Sequence, residues 1–117
     1  MSAPTLTSLR DRLRQFAAER EWEQFHSPKN LAMALVAEAG ELAAEFQWMT
    51  EAQSRTPSPE QRARIEAEAA DVLNYLVRLA DRLDFDLLAA AAAKIEENAR
   101  RYPAEQVRGS AKKYSEY

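Results

Sequence analysis

Apolar residues recur along this chain at helical rather than strand spacing. Leu9, Leu13, Phe16 and Ala17 follow the i, i+4, i+7, i+8 rhythm of one buried stripe, and predict a first helix from about Ser8 to Glu21. Thr7 or Ser8 is its expected cap, with Asp11 closing a capping box behind Ser8. Ser27 before Pro28 is an N-cap followed by the one helical position that tolerates proline, so a second helix is expected from there to about Met49. Ser58-Pro59 repeats the entry and opens a third helix to about Leu83; a fourth runs from near Asp84 to just before Pro103. Thr50 to Pro57 reads as a polar connection long enough for an antiparallel return, and residues 103–117 as a polar tail. The expected architecture is all-α: a four-helix bundle in a single domain over 1–117, with a helical core at about 8–102. Gly40, inside helix two, implies close packing or simple tolerance of a cost of about 1 kcal/mol.

Composition narrows the choices. With 2 Gly and 5 Pro among 117 residues, the chain lacks the turn residues of a many-stranded fold. Its 46% hydrophobic content is enough for one core, although cores of this size often gain from oligomerisation. The absence of cysteine removes disulfides, thiolate metal sites and a cysteine nucleophile, and the lone His26 cannot build a multi-histidine metal site. No stretch approaches a membrane span, and the start MSAPTLTSLRDRL has no basic region leading into an apolar one, so a cytoplasmic protein is expected. A net charge of −3 disfavours nucleic-acid binding, despite Arg108, Lys112 and Lys113 near the C-terminus.

The acids are unusual in their placement. At about 100° per residue, Leu31, Leu35, Leu42 and Met49 define the apolar stripe of helix two; Glu38 falls inside it, with Glu41 and Glu45 along its edge. In helix three, Glu68 and Asp71 flank the stripe formed by Ile65, Val72, Leu76, Leu79 and Leu83, close to Tyr75. Each pair has i, i+3 spacing, so its carboxylates project from neighbouring turns of one face. Antiparallel packing of the two helices would let four acids converge, and four such charges need raised pKa values or a compensating cation. Oxygen-only ligands select a hard ion, Mg²⁺ with Mn²⁺ as a substitute. The plainer alternative is that the pairs are solvated faces or salt-bridge partners.

Trp22, Phe25 and His26 crowd the junction of helices one and two, and Trp48 ends helix two. These rings could form a stacking slot for a nucleobase, or Trp22 and Phe25 could staple the helix entry while His26 caps or faces solvent. Lys94 and Asn98, an i, i+4 pair in helix four, are either solvated charge or donors for phosphate oxygens.

FAAEREWEQFHSPKNLAMALVAEAGELAAEFQW, EAADVLNYLVRLAD, KIEENARRYP and VRGSAKKY, in that order, resemble the MazG-like all-α nucleotide pyrophosphohydrolases, in the branch related to dCTP pyrophosphatase. The resemblance runs from about Leu9 to Tyr114. It implies Mg²⁺-dependent hydrolysis of a (deoxy)nucleoside triphosphate, often of deoxycytidine or a modified pyrimidine, to monophosphate and pyrophosphate by a homodimer or homotetramer. By the same resemblance Glu38, Glu41, Glu68 and Asp71 match the metal ligands and catalytic acids. Trp22, Phe25, His26, Trp48 and Tyr75 match nucleoside contacts, and Lys94 with Asn98 the phosphate side. Relatives commonly carry a further Glu three residues after the second ligand, where this chain has Ala44 and then Glu45. The rival from another class is a non-catalytic helical interaction module whose aromatic residues anchor a partner.

Overall fold

Every long helix in this protein starts at a side chain that can accept from the backbone. The structure, a computed structural model, describes residues 3–111. Helix α1 (Leu6–Glu19) is capped by Thr5, whose Oγ1 accepts from Ser8 N at 3.0 Å while Ser8 Oγ accepts from Thr5 N at 2.8 Å. The expected cap at Thr7 or Ser8 is therefore corrected: Ser8 is the third residue of the helix and closes the box that Thr5 opens. Helix α2 (Pro28–Ala44) and helix α4 (Pro59–Leu83) begin as predicted, with Ser27 and Ser58 as caps and proline at the first helical position. Gln61 returns the capping bond of Ser58, its Oε1 accepting from Ser58 N at 2.8 Å.

Two expectations between these helices are also corrected. Helix α2 ends at Ala44 rather than near Met49, and the chain continues through tight turns, such as Phe46 N to the Ala43 carbonyl at 3.0 Å. The connection then contains a short helix α3 (Glu51–Arg55), capped reciprocally by Thr50 and Gln53. The cap at Thr50, with extended backbone (φ −75°, ψ 164°), starts α3 afresh, while α2 has already given way to tighter i→i−3 turns at Glu45, Phe46 and Gln47.

The helices group into two compact units, divided after Asp84. In the first, both α1 and α2 pack on α4, around buried Ala17, Leu31, Val77 and Ala80. Helices α2 and α4 run antiparallel: His26 before α2 meets Arg78 late in α4, whereas Glu45 after α2 meets Arg64 early in α4. A one-turn 3₁₀ segment, Glu23–Phe25, joins α1 to α2. Helix α4 stops without glycine, Asp84 adopting the left-handed conformation (φ 55°, ψ 53°). A Cβ at Gly40 would meet nothing within 4 Å, which decides for tolerance over close packing.

The second unit contains helix α5 (Leu87–Arg101) and the single-turn helix α6 (Ala104–Val107). Asp86 caps α5 by accepting from Ala89 N at 3.0 Å. Leu88 and Ile95 are largely exposed on it. Lys112 and Lys113 of the expected tail lie outside the described residues. No described helix is long and apolar enough to cross a membrane.

Candidate metal and nucleotide site

Antiparallel packing of α2 on α4 sets the two acid pairs side by side. Glu38, Glu41 and Glu68 each offer a carboxylate oxygen to one spot, all within 4.8 Å of one another. Glu38 and Glu68 are half-buried, and one oxygen of each (Oε2) is sealed from solvent with no hydrogen-bond partner. Glu41 is exposed. Asp71 is exposed and outside this 4.8 Å set, yet its charge acts on both Glu38 and Glu68.

Burial pushes the Glu38 and Glu68 carboxyls up from their ordinary values, and a hydrogen bond to Glu41 and repulsion by Glu41 and Asp71 push in the same direction. Among the described residues, no ion pair from a basic side chain reaches Glu38, Glu41 or Glu68. Glu45, which accepts from Arg64 Nε at 3.1 Å, adds to the repulsion on Glu68. Buried, unpartnered carboxylate oxygens facing other acids are costly as they stand. A hard divalent cation supplies the missing counter-charge, and the all-oxygen donor set fits one.

An open groove of about 570 Å³ lies beside this spot, between the C-terminal end of α2, α3 and the N-terminal end of α4. Glu45 and Arg64 line it together with Trp48, Met49, Gln53 and Gln61. Trp48 is 89% exposed, an indole with one face available for a flat ligand. Tyr75 is half-buried on α4.

The remaining aromatic residues form a second cluster at the α1–α2 junction. Trp22 meets Phe16 edge-on at 5.7 Å between ring centroids and His26 at 6.4 Å, while the Arg20 guanidinium lies 3.6 Å over Phe16. Phe25 is largely exposed in the 3₁₀ segment. The first unit thus brings Glu38, Glu41 and Glu68 together, pairs Trp22 with His26, and holds Trp48 in a separate groove. Lys94 and Asn98 lie on α5 in the second unit, where Lys94 Nζ donates to Glu97 Oε2 at 3.1 Å.

Sequence reasoning missed Arg78. It is 4% exposed and bridges two groups: Nε donates to His26 Nδ1 at 3.1 Å and Nη1 to Asp81 Oδ2 at 3.2 Å. Arg14 Nε also donates to Asp81 Oδ2, at 2.8 Å. An apolar stripe drawn for one neighbouring helix leaves Arg78 outside the core. Because α4 is flanked by both α1 and α2, its buried arc is wider and takes in Val77, Arg78 and Ala80. A cation and an acid at i, i+3 in the last turns of a long helix, Arg78 and Asp81, were the available signal.

The pattern of the MazG-like family matches residues 33–117. The chain is 50% identical to the dCTP pyrophosphatase 1 of Homo sapiens over 115 residues, covering 97% of this chain and 68% of that protein. The Mus musculus dCTP pyrophosphatase 1 is also 50% identical over 115 residues. The crystal structure of a pyrophosphatase from Archaeoglobus fulgidus superposes with a TM-score of 0.80 at 35% identity, covering 88% of this chain and 96% of that one.

Proposed function

This chain belongs to the MazG-like family, and on that premise we propose that it is a nucleotide pyrophosphohydrolase of the dCTP pyrophosphatase kind. It converts a (deoxy)nucleoside triphosphate, dCTP or a modified pyrimidine dNTP, to the monophosphate and pyrophosphate. The observation that carries the reading is the convergence of Glu38, Glu41 and Glu68 within 4.8 Å, with two buried carboxylate oxygens that nothing in the described chain satisfies.

Glu38, Glu41 and Glu68 would hold Mg²⁺, for which Mn²⁺ can substitute, with Asp71 completing the acidic wall. Held by these acids, the cation would supply charge neutralisation for the triphosphate and activation of the attacking water. The protein's own part is positional. Its acids fix where the phosphates lie, and the apolar stripe beneath them excludes water from one side. Trp48, exposed beside the acids, offers a stacking face, while Trp22, Phe25, His26 and Tyr75 are the remaining nucleoside-side candidates. Lys94 and Asn98 enter on chemistry and family resemblance alone, as an ammonium and a carboxamide suited to phosphate oxygens.

The finer architecture belongs to the same proposal: one domain, a four-helix bundle, assembled as a homodimer or homotetramer. The family match runs from residue 33 to 117, across both units, which supports a single domain. Large apolar side chains left exposed, among them Met33, Val36, Leu88 and Ile95, support burial between subunits.

A pyrophosphate-release screen across dNTPs and NTPs tests the reading. Release that requires Mg²⁺ and is fastest with dCTP or a modified pyrimidine dNTP is expected. A protein that releases pyrophosphate from none of them, and whose melting is unmoved by Mg²⁺ with a non-hydrolysable dNTP, is instead a non-catalytic interaction module.

A further inference from the structure

Arg78 lies toward the C-terminal end of α4, two turns past Asp71. The residue is 4% exposed, with Nη2 buried and without a hydrogen-bond partner. Such a cation is costly to keep, and a simple structural tie to Asp81 does not require it, because Arg14 already donates to both oxygens of that carboxylate. What Arg78 alone supplies is the bond from Nε to His26 Nδ1 at 3.1 Å.

That bond dictates the state of the imidazole. A guanidinium only donates, so Nδ1 must present its lone pair and the ring proton must sit on Nε2. Protonating Nδ1 would break the bond and press two cations together. The charged groups that act on the ring favour the neutral form on balance: Arg78 and Arg82 from α4 oppose a charge there, and only Glu23 of the 3₁₀ segment favours one. Burial is the largest influence lowering the His26 pKa, ahead of either arginine. From α1 and the junction the ring meets the apolar edge of Trp22, which Phe16 backs. The loop itself is held separately, by Arg82 Nε donating to the His26 carbonyl at 3.1 Å. Nε2 makes no hydrogen bond to the described residues, so its proton is available beside Trp22.

We propose that Arg78 is a positioning residue: it fixes His26 as the neutral Nε2–H tautomer, so that this edge donates to a carbonyl or ring-nitrogen acceptor of a nucleobase packed against Trp22. The inference rests on the nucleotide reading above, but the tautomer lock is read without turnover. A histidine that sampled both tautomers and titrated near neutrality would present a donor only part of the time. Arg78 removes that ambiguity, and the base contact becomes independent of pH across the physiological range.

Because the chain has a single histidine, one nitrogen-15 imidazole spectrum of the intact protein reads the state directly. Wild type is expected to show Nε2–H and an unprotonated Nδ1 from about pH 8 to below the usual histidine range of about 6.5. Adding a non-hydrolysable pyrimidine dNTP with Mg²⁺ is expected to shift the Nε2–H resonance. In Arg78→Met the ring should mix tautomers and titrate in the ordinary range. KM should rise about tenfold, the equivalent of one lost hydrogen bond, and become pH-dependent while kcat holds. Arg78→Lys, which keeps a donor, should recover part of the KM. An Nδ1–H tautomer in wild type, an ordinary titration, or an Nε2–H signal unmoved by nucleotide overturns the proposal, and none of these depends on the variants folding. Should every nucleotide fail to be hydrolysed while the wild-type spectrum shows the lock and the nucleotide-induced shift, the hydrolase reading falls and the role of Arg78 stands.

Discussion

Glu38 of α2 and Glu68 of α4 bury one carboxylate oxygen each against the same small space, and neither oxygen has a hydrogen-bond partner. Two like charges so placed oppose folding unless something neutralises them. Glu38→Gln and Glu68→Gln should therefore abolish Mg²⁺-dependent pyrophosphate release, and in cation-free buffer at neutral pH should melt at or above the wild-type temperature. Wild type should gain more in melting temperature from Mg²⁺ than either variant. Full activity in both variants would remove these acids from the site.

Asp81 has the opposite character, a carboxylate worth keeping. Its side chain is 8% exposed and that of Arg78 5%, so Asp81→Ala strands a buried cation. A loss of about 3 kcal/mol is expected in chemical denaturation, the usual scale for removing one partner of a buried pair.

Arg14 tests the pH dependence of the same carboxylate. Its hydrogen bond is the largest influence holding the Asp81 carboxyl below the usual aspartate range, against the upward push of burial. A depressed folded pKa contributes stability that is present above the unfolded value, about 3.8, and is lost as pH falls through the folded one. The melting difference between wild type and Arg14→Ala should be steady from about pH 5 to 8 and shrink below about pH 4.

Helix entries at Ser27-Pro28 and Ser58-Pro59, the whole of α4 and the pairing of acids across two helices were legible because each rests on local spacing. The end of α2 was not. Nothing between Glu45 and Met49 breaks a helix by residue type, and the switch there to tighter i→i−3 turns leaves no mark in the apolar spacing. Arg78 and its hold on His26 were equally hidden, since they depend on α4 having neighbours on two sides. Asp71 matches the spacing of a ligand but lies outside the 4.8 Å set of the other three acids, a distinction of position that periodicity cannot resolve.

Trp48 stands almost wholly exposed in the groove beside Glu45. If its ring only stacks on the base, Trp48→Ala should raise KM about tenfold or more, as loss of one base–aromatic stack does, with kcat little changed. Steady-state kinetics with several nucleotides check this; an unchanged KM for all of them places the base elsewhere.

Gly40 sits mid-helix in α2 with open space where a side chain would go. Gly40→Ala should raise stability by about 1 kcal/mol, through helix propensity and a less flexible unfolded chain, without altering pyrophosphate release. Thermal melting and an activity assay on one preparation suffice.

The packed stripes of α2 and α4 also govern which evolutionary gaps this protein can absorb. Buried residues fix the rotational phase of each helix, Leu31 ahead of Glu38 in α2 and Val77 with Ala80 beyond Glu68 in α4. One residue inserted between Glu68 and Val77 would swing Glu68 by about 100°, away from Glu38 and Glu41, and dismantle the acidic spot without touching any of its members. An insertion between Met49 and Ser58 would be taken up by loop and turn, leaving both phases intact. Length changes in functional homologues should therefore collect in that connection and be absent from the two stretches that run between core residue and carboxylate.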